Sequence, residues 1–235
     1  MMQPRTIGLI GGMSWISTAA YYQTLNELAQ HRLGDSHSAR IVLWSVNFAE
    51  HLAIHHNGGW KGVADEIINI GHRLRYAGAD ILALCVNTIH HVAAEIEDAV
   101  GLPLIHIADA VGQAILEAGI SRVGLIGTKY TMGEEWYRSH LNRYYGLEVL
   151  LPEGDDFETI DTIIYQELVS ATFTPSSRDT CYQIITRLFD RGAEGVILGC
   201  TELPLLLAGE SWGLTLFDSL QLHAEEIFTE ALSPG

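Results

Sequence analysis

Arg5-Thr-Ile-Gly-Leu-Ile-Gly11 has a second copy further along the chain, Arg122-Val-Gly-Leu-Ile-Gly127. The shared Gly-Leu-Ile-Gly runs from Gly8 and again from Gly124, an offset of 116 residues, each time directly after a β-branched residue (Ile7, Val123). A second pair follows at an offset of 114: Gly78-Ala79-Asp80 and Gly192-Ala193-Glu194, each leading into an apolar run. Two separate motifs with nearly one offset indicate two similar lobes, each built on a βαβ-type unit. Carried along the second run, the same offset sets Cys200 opposite Val86, with Asn87-Thr88 and Thr201-Glu202 behind them. One strand therefore ends in a group that can carry a proton and its counterpart in a methyl-bearing wall.

Outward from these motifs the pattern alternates strand and helix. Strands are predicted at Thr6–Ile10, Ile41–Val46, Ile81–Val86 and Leu104–Ile107, with helices at about Ser17–Arg32, Asp65–Tyr76 and Ile89–Ala99. Asn47 to about Gly59 reads as an irregular, His-rich segment. Gly78 ends its helix as a C-cap glycine does. The second half predicts strands at Arg122–Ile126, Glu148–Leu151 and Val196–Gly199, and helices at Glu134–Tyr144, Phe157–Ser170 and Arg178–Arg191. Leu214–Phe217 and the helix after Asp218 are expected to return to the first lobe. The expected fold is α/β: two pseudo-symmetric lobes, each a parallel sheet flanked by helices, with the active-site cleft between them. The lobes are expected to comprise residues 1–106 with 212–235, and residues 107–211.

Bulk properties narrow the function. The 235 residues carry 29 acidic against 13 basic side chains, a formal charge of −16, which disfavours a phosphate-neutralising nucleic-acid surface. Hydrophobic content of 48% is ample for buried parallel strands. No run of 18 or more apolar residues occurs, and the N-terminus lacks the order of a signal peptide. Cys85, Cys181 and Cys200, an odd number without tight spacing, suggest free thiols in a reducing, cytoplasmic compartment. No membrane or nucleic-acid partner is expected.

In open α/β sheets ligands bind at the carboxyl ends of strands. The loops to weigh are therefore Gly11–Ser14, Val86–His90, Gly127–Thr131 and Cys200–Pro204. Each combines small residues that expose backbone N–H groups with hydroxyl or amide side chains, a combination that suits a carboxylate or phosphate. Gly8-x-x-Gly11-Gly12 is not a dinucleotide fingerprint, and no Walker lysine follows it. The candidate binding residues are Met13, Ser14, Asn87, Thr88, Thr128, Thr131, Thr201 and Glu202. Cys200 is the sharpest single candidate, placed where the N-terminus of a following helix would lower its pKa. Cys85, one residue from Val86, should face the packing because strand neighbours alternate; Cys181 reads as core. Eleven histidines include His51 and His55 at i,i+4, His56, and His90-His91, but no Asp or Cys completes a metal-ligand spacing, and no metal or cofactor is expected. Glu134-Glu135 and Asp155-Asp156 read as helix-start charges.

At these residues the sequence resembles the aspartate/glutamate racemase family of cofactor-independent amino-acid racemases. Gly8-Leu-Ile-Gly-Gly-Met-Ser-Trp15, Ser45-Val-Asn-Phe48, Asn87-Thr88-x-His90, His106-Ile-Ala-Asp109, Gly127-Thr128 and Gly199-Cys-Thr-Glu202 carry the likeness nearly end to end. The resemblance implies an amino-acid or small-carboxylate substrate held between the lobes, and a homodimer. It also implies two-base chemistry, in which a thiolate removes the α-proton on one face and a thiol returns one on the other. Inversion without a cofactor needs an acid and a base on opposite sides of one carbon, with fixed donors around the carboxylate.

Two departures qualify the match. Cys200 matches the family's second cysteine, whereas Val86 stands at the position of the first, and valine cannot carry a proton. Neither Ile41–Trp60 nor Asp155–Ser177, where acidic-substrate relatives are expected to place basic partners, contains a Lys or Arg. His55 and His56 are the nearby substitutes. The reading is an amino-acid racemase or epimerase with Cys200 as the acid/base on one face, and with water, Thr88 or Cys85 on the other. The alternatives are a one-thiol enzyme resembling arylmalonate decarboxylase, or a catalytically silent carboxylate-binding protein.

Overall fold

The computed structural model describes residues 4–208 and 213–233. It divides into two compact units, Met1–His106 with His223–Gly235, and Ile107–Leu222. In the first unit β1 (Ile7–Gly11), β2 (Ile41–Ser45), β3 (Ile81–Leu84) and β4 (Leu104–Ile105) form a parallel sheet in the order β2-β1-β3-β4. Helices α1 (Trp15–Leu33), α2 (Phe48–Tyr76) and α3 (Ala93–Val100) connect them, with a 3-10 turn at Thr88–Val92. In the second unit α4 (Ile107–Glu117) precedes β5 (Arg122–Ile126), β6 (Glu148–Leu150), β7 (Gly195–Leu198) and β8 (Leu216–Asp218). These strands form a parallel sheet in the matching order β6-β5-β7-β8. Helices α5 (Lys129–Gly133), α6 (Glu135–Tyr145), α7 (Asp155–Gln166), α8 (Pro175–Asp190) and α9 (Leu203–Leu207) connect its strands. The last helix, α10 (Ser219–Leu232), carries the chain into the first unit.

The repeated motifs are the fastenings of each sheet. A Cβ on Gly8 would lie 2.9 Å from that of Ala79, and one on Gly124 would lie 2.9 Å from Leu188 Cδ1 and Val196 Cγ2. The first glycine of each Gly-Leu-Ile-Gly thus admits close packing rather than a nucleotide. The Gly-Ala-acid motifs close a helix and clamp a strand together. Gly78 and Gly192 take φ of 95° and 94°, and the next N–H reaches back to Leu74 O and Leu188 O, both at 3.0 Å. The acid that follows accepts from the start of the central strand: Asp80 from Thr6 N at 2.7 Å, Glu194 from Arg122 N at 3.0 Å.

Three expectations are corrected here. Asn47–Gly59 is not irregular: Asn47 Oδ1 caps α2 by accepting from Ala49 N at 3.0 Å, and the helix runs on across a break at Gly59 (φ 57°, ψ −156°). His51 is buried on this helix against Glu66, 2.7 Å away. Leu214–Phe217 does not return to the first unit, because β8 pairs with β7 through Val196↔Leu216 to Leu198↔Asp218. The return begins in α10, at His223. The run after Leu104 is also shorter as a strand than expected, since α4 begins at Ile107 and buries Ile107, Ala108, Val111 and Ile115.

Gly12 gives a direct test of this geometry. Its φ is 95°, and a Cβ there would sit 2.3 Å from both the N and the O of Val46, backbone atoms that cannot move aside. Gly12→Ala is expected to cost about 3 kcal/mol or more in urea unfolding. Gly78→Ala, with the same φ but open space around it, should cost only about 1 kcal/mol. Equal losses for the two would show that conformation alone, and not the Val46 contact, matters at Gly12.

Candidate active site

Both sheets end their central strands in the same way. Cys85 N donates to Ile10 O at 2.9 Å, and Gly199 N donates to Ile126 O at 2.7 Å. Val86 and Cys200 therefore each stand one residue beyond an equivalent bond, at the carboxyl end of β3 and of β7.

In the first unit, Ser14 caps α1 by accepting from Ser17 N at 3.3 Å, and Met13 is buried in the apolar core. Thr18 Oγ1 accepts from Gly12 N and donates to Ser14 O, both at 2.8 Å, so the loop after β1 is held from within. Val86 is half-buried against the core, Asn87 is buried and Thr88 is partly exposed at the start of the 3-10 turn. His90 fastens that turn. Its Nδ1 lies 3.0 Å from Val86 O and 3.2 Å from Asn87 O, which makes Nδ1 the protonated nitrogen, because a carbonyl only accepts. His55 stands on α2. It packs edge-on to Trp60 at 4.9 Å, and Trp60 in turn stacks on His91 of the turn at 4.2 Å. Cys85 is 1% exposed, and burial holds its thiol far above the ordinary range, so it is packing and not a displaced base.

In the second unit, Thr128 caps α5 and its Oγ1 lies 3.2 Å from Oγ1 of Thr131, which is fully buried. The loops after β5 and β7 abut: a Cβ on Gly127 would lie 3.0 Å from Gly199 O, and one on Gly199 would lie 3.2 Å from Thr131 Cγ2. Only glycine permits this approach. Behind Gly199, Cys200 Sγ donates to Glu202 Oε2 at 3.0 Å, and Thr201 Oγ1 donates to the same oxygen at 3.1 Å. All three residues are at most 7% exposed.

The expected lowering of the Cys200 pKa is overturned. Burial, and then the Glu202 carboxylate beside it, push the thiol well above its ordinary value. The backbone N–H groups of Glu202 and Leu203 favour the thiolate but do not offset this, and the following helix α9 has only five residues. A second negative charge 3.0 Å from the Glu202 carboxylate is disfavoured in a buried site, so the thiol is held protonated. A neutral thiol so placed is chemically able to donate a proton.

A family model for Asp/Glu/hydantoin racemases matches residues 10–227. The chain belongs to that family. The solved structure of a candidate Asp/Glu racemase from Yersinia pestis is similar over 97% of this chain and 100% of that one, at 41% identity and a TM-score of 0.90. An aspartate racemase homologue from Pyrococcus horikoshii OT3 is similar over the same shares, at 33% identity and a TM-score of 0.84. The broad specificity amino-acid racemase RacX of Bacillus subtilis (strain 168) is 23% identical over 91% of this chain and 92% of its own length. Membership makes the chain an isomerase of the racemase kind, on the two-sheet α/β fold described above.

Within this racemase frame, two residues escaped the sequence reading. Asp161 of α7 is 8% exposed, and its Oδ1 accepts from Lys129 N at 2.7 Å, which fixes the loop after β5. Tyr165, one turn further along α7, lies near enough to Asp161, Tyr130 and Cys200 that, after burial, all three raise its pKa. The i,i+4 spacing of Asp161 and Tyr165 was visible, but nothing in the sequence said which loop that helix face meets.

Proposed function

We propose that this racemase acts at the Cα of an amino acid or small carboxylate, with Cys200 as the proton carrier on one face and Glu202 as its reservoir. The observation that supports it most is the 3.0 Å contact from Cys200 Sγ to Glu202 Oε2. When the thiol protonates a carbanion at Cα, the S–H bond breaks and a C–H bond forms. The thiolate is then reprotonated by a proton from solvent water, which Glu202 relays to the sulfur. The reverse passage takes the α-proton onto sulfur. Thr128, Thr131 and Thr201 with the neighbouring backbone N–H groups are proposed to hold the substrate carboxylate on the Cys200 side. Met13, Ser14, His55, Asn87 and Thr88 are proposed as the remaining substrate-side set. The two-base scheme needs a second thiol at the position of Val86, so exchange without full racemisation is the expected native behaviour.

A second reading is favoured by the held proton. A thiol kept neutral suits one-way delivery to a carbanion left by loss of carbon dioxide, which is decarboxylase-type chemistry with a single product enantiomer. We further propose a homodimer without a cofactor in a reducing cytoplasm, consistent with three buried free thiols. Among the described residues no helix is long and apolar enough to cross a membrane.

One experiment separates the readings. Single enantiomers of a panel of amino acids and 2-substituted dicarboxylates are followed by proton NMR in deuterated water, with Val86→Cys alongside. Cα deuteration by the native protein, and a gain of racemisation of roughly 100-fold or more in Val86→Cys, are expected. Decarboxylation without exchange selects the second reading. Binding without either reaction, unaffected by Cys200→Ser, would leave a silent carboxylate-binding protein.

A further inference from the structure

At the opposite end of the second sheet from Cys200 lies a feature the chemistry above does not use. Glu148 and Val149 of β6 pair with Arg122 and Val123, the first residues of β5, so this is the amino end of the strands. Between edge strand β6 and helix α6 is a hollow of about 270 Å³, lined by Glu135, Arg138, Ser139, Asn142, Leu147, Glu148 and Val149. Arg138 is half-buried, its Nε is out of contact with solvent, and its guanidinium has no hydrogen-bond or ion-pair partner among the described residues. Other arginines of this unit are committed. Arg122 is paired with Glu148 at 2.7 Å, Arg187 with Asp156 and Arg191 with Glu153, both at 2.6 Å. A half-buried cation without a partner is costly unless something else satisfies it.

The lining decides what that is. A guanidinium offers a planar fork that matches a carboxylate. Two carboxylates share the wall, Glu148 already neutralised by Arg122 and Glu135 not paired with Arg138. A polyanion such as phosphate would be repelled, whereas a ligand carrying both signs would not. Ser139 and Asn142 add hydrogen-bonding groups, and Leu147 and Val149 an apolar surface. We propose that this hollow is a second, non-catalytic site for a free α-amino acid with a small side chain. Arg138 takes its carboxylate and Glu135 its ammonium group.

The test is titration of the full-length, isotope-labelled protein with L-alanine, reading the backbone amide signals of Ser139, Asn142 and Val149. These should shift in the native protein with millimolar affinity. Arg138→Met should weaken the response roughly 10-fold or more, whereas Arg138→Lys, which keeps the charge without the fork, should weaken it less. Acetate should bind more weakly than L-alanine and be indifferent to Glu135→Gln, because it lacks the ammonium group. Cys200→Ser should leave these shifts unchanged, which separates this site from the catalytic one. No shift at the three amides, equal shifts in Arg138→Met, or tighter binding of inorganic phosphate than of L-alanine would each overturn the proposal. Unfolding curves of both Arg138 variants establish that any loss is of binding and not of structure.

Discussion

Cys200→Ala is expected to lower Cα deuteration, or decarboxylation if that is the reaction, by about 1,000-fold or more while leaving the unfolding midpoint almost unchanged. The side chain is small and buried, so its removal costs little packing, but it is the group that makes and breaks the bond to hydrogen. Glu202→Gln separates the carboxylate's role from the thiol's. The carboxylate raises the thiol pKa, so its neutral isostere should let that pKa fall. A protonated thiol is the working form for donation. For donation to a carbanion left by decarboxylation, the alkaline limb of the pH–rate profile should therefore move to lower pH in Glu202→Gln; for Cα exchange, which begins with removal of the α-proton by the thiolate, the acid limb should move to lower pH instead. A profile that does not move would mean that Glu202 supports the loop without holding the proton. Full activity in Cys200→Ala would remove the thiol from the reaction altogether.

The second large effect concerns acid. His223 of α10 is fully buried, with Nδ1 2.8 Å from Tyr21 OH and Nε2 2.8 Å from Ile105 O. The carbonyl requires a proton on Nε2, and Tyr21 donates to Nδ1, so the ring is neutral. Burial first, opposed by the bond to Ile105 and aided by His106, lowers its pKa to about 3. His90 is lowered as well, by burial and then by His106 and His223. Both folded values lie below the unfolded value of 6.5, so for His223 the unfolded chain binds more protons between about pH 3 and pH 6.5, and His90 acts in the same direction. Stability is therefore complete above about pH 6.5 and is lost as pH falls. Between about pH 7.5 and pH 5 the loss from His223 is expected to be about 2 kcal/mol, read as the change in urea unfolding free energy, and His90 adds to it in the same direction. His223→Gln should flatten that slope even though it lowers stability at neutral pH. An unchanged slope would show that carboxylates, and not this imidazole, govern the acid response.

Much of this was legible in the chain because it was written twice. The alternation of strands and helices in two lobes, the helix-ending Gly78 and the equivalence of Val86 with Cys200 follow from motifs whose spacing survives in both halves. What was not legible depended on neighbours. The helix beginning at Phe48 was hidden because Gly58-Gly59 interrupts its periodicity and four histidines blur its apolar face, although Asn47 was a capping signal in plain view. The expected return of Leu214–Phe217 to the first lobe fails because a short apolar run does not say which sheet edge it will join. The ionisation of Cys200 was misjudged in direction. Sequence shows a helix following the cysteine, but not that the helix is one turn long or that Glu202 folds back onto the sulfur. Asp161 and Arg138 were ordinary surface-type charges until the fold gave one a loop to hold and left the other without a partner.

The late return of α10 sets an order of events at the ribosome. Residues Ile107–Leu222 form an unbroken unit, whereas the first 106 residues share theirs with the segment from His223 onward. Until that segment emerges, Ile227, Phe228 and Ala231 are missing from the packing, as are the bonds from Arg5 N to Ala231 O and from Ile105 O to His223. At ordinary synthesis rates the wait is on the order of ten seconds. The N-terminal half is thus made first and finished last, and during that interval its exposed apolar groove is the part of the nascent chain a chaperone would meet.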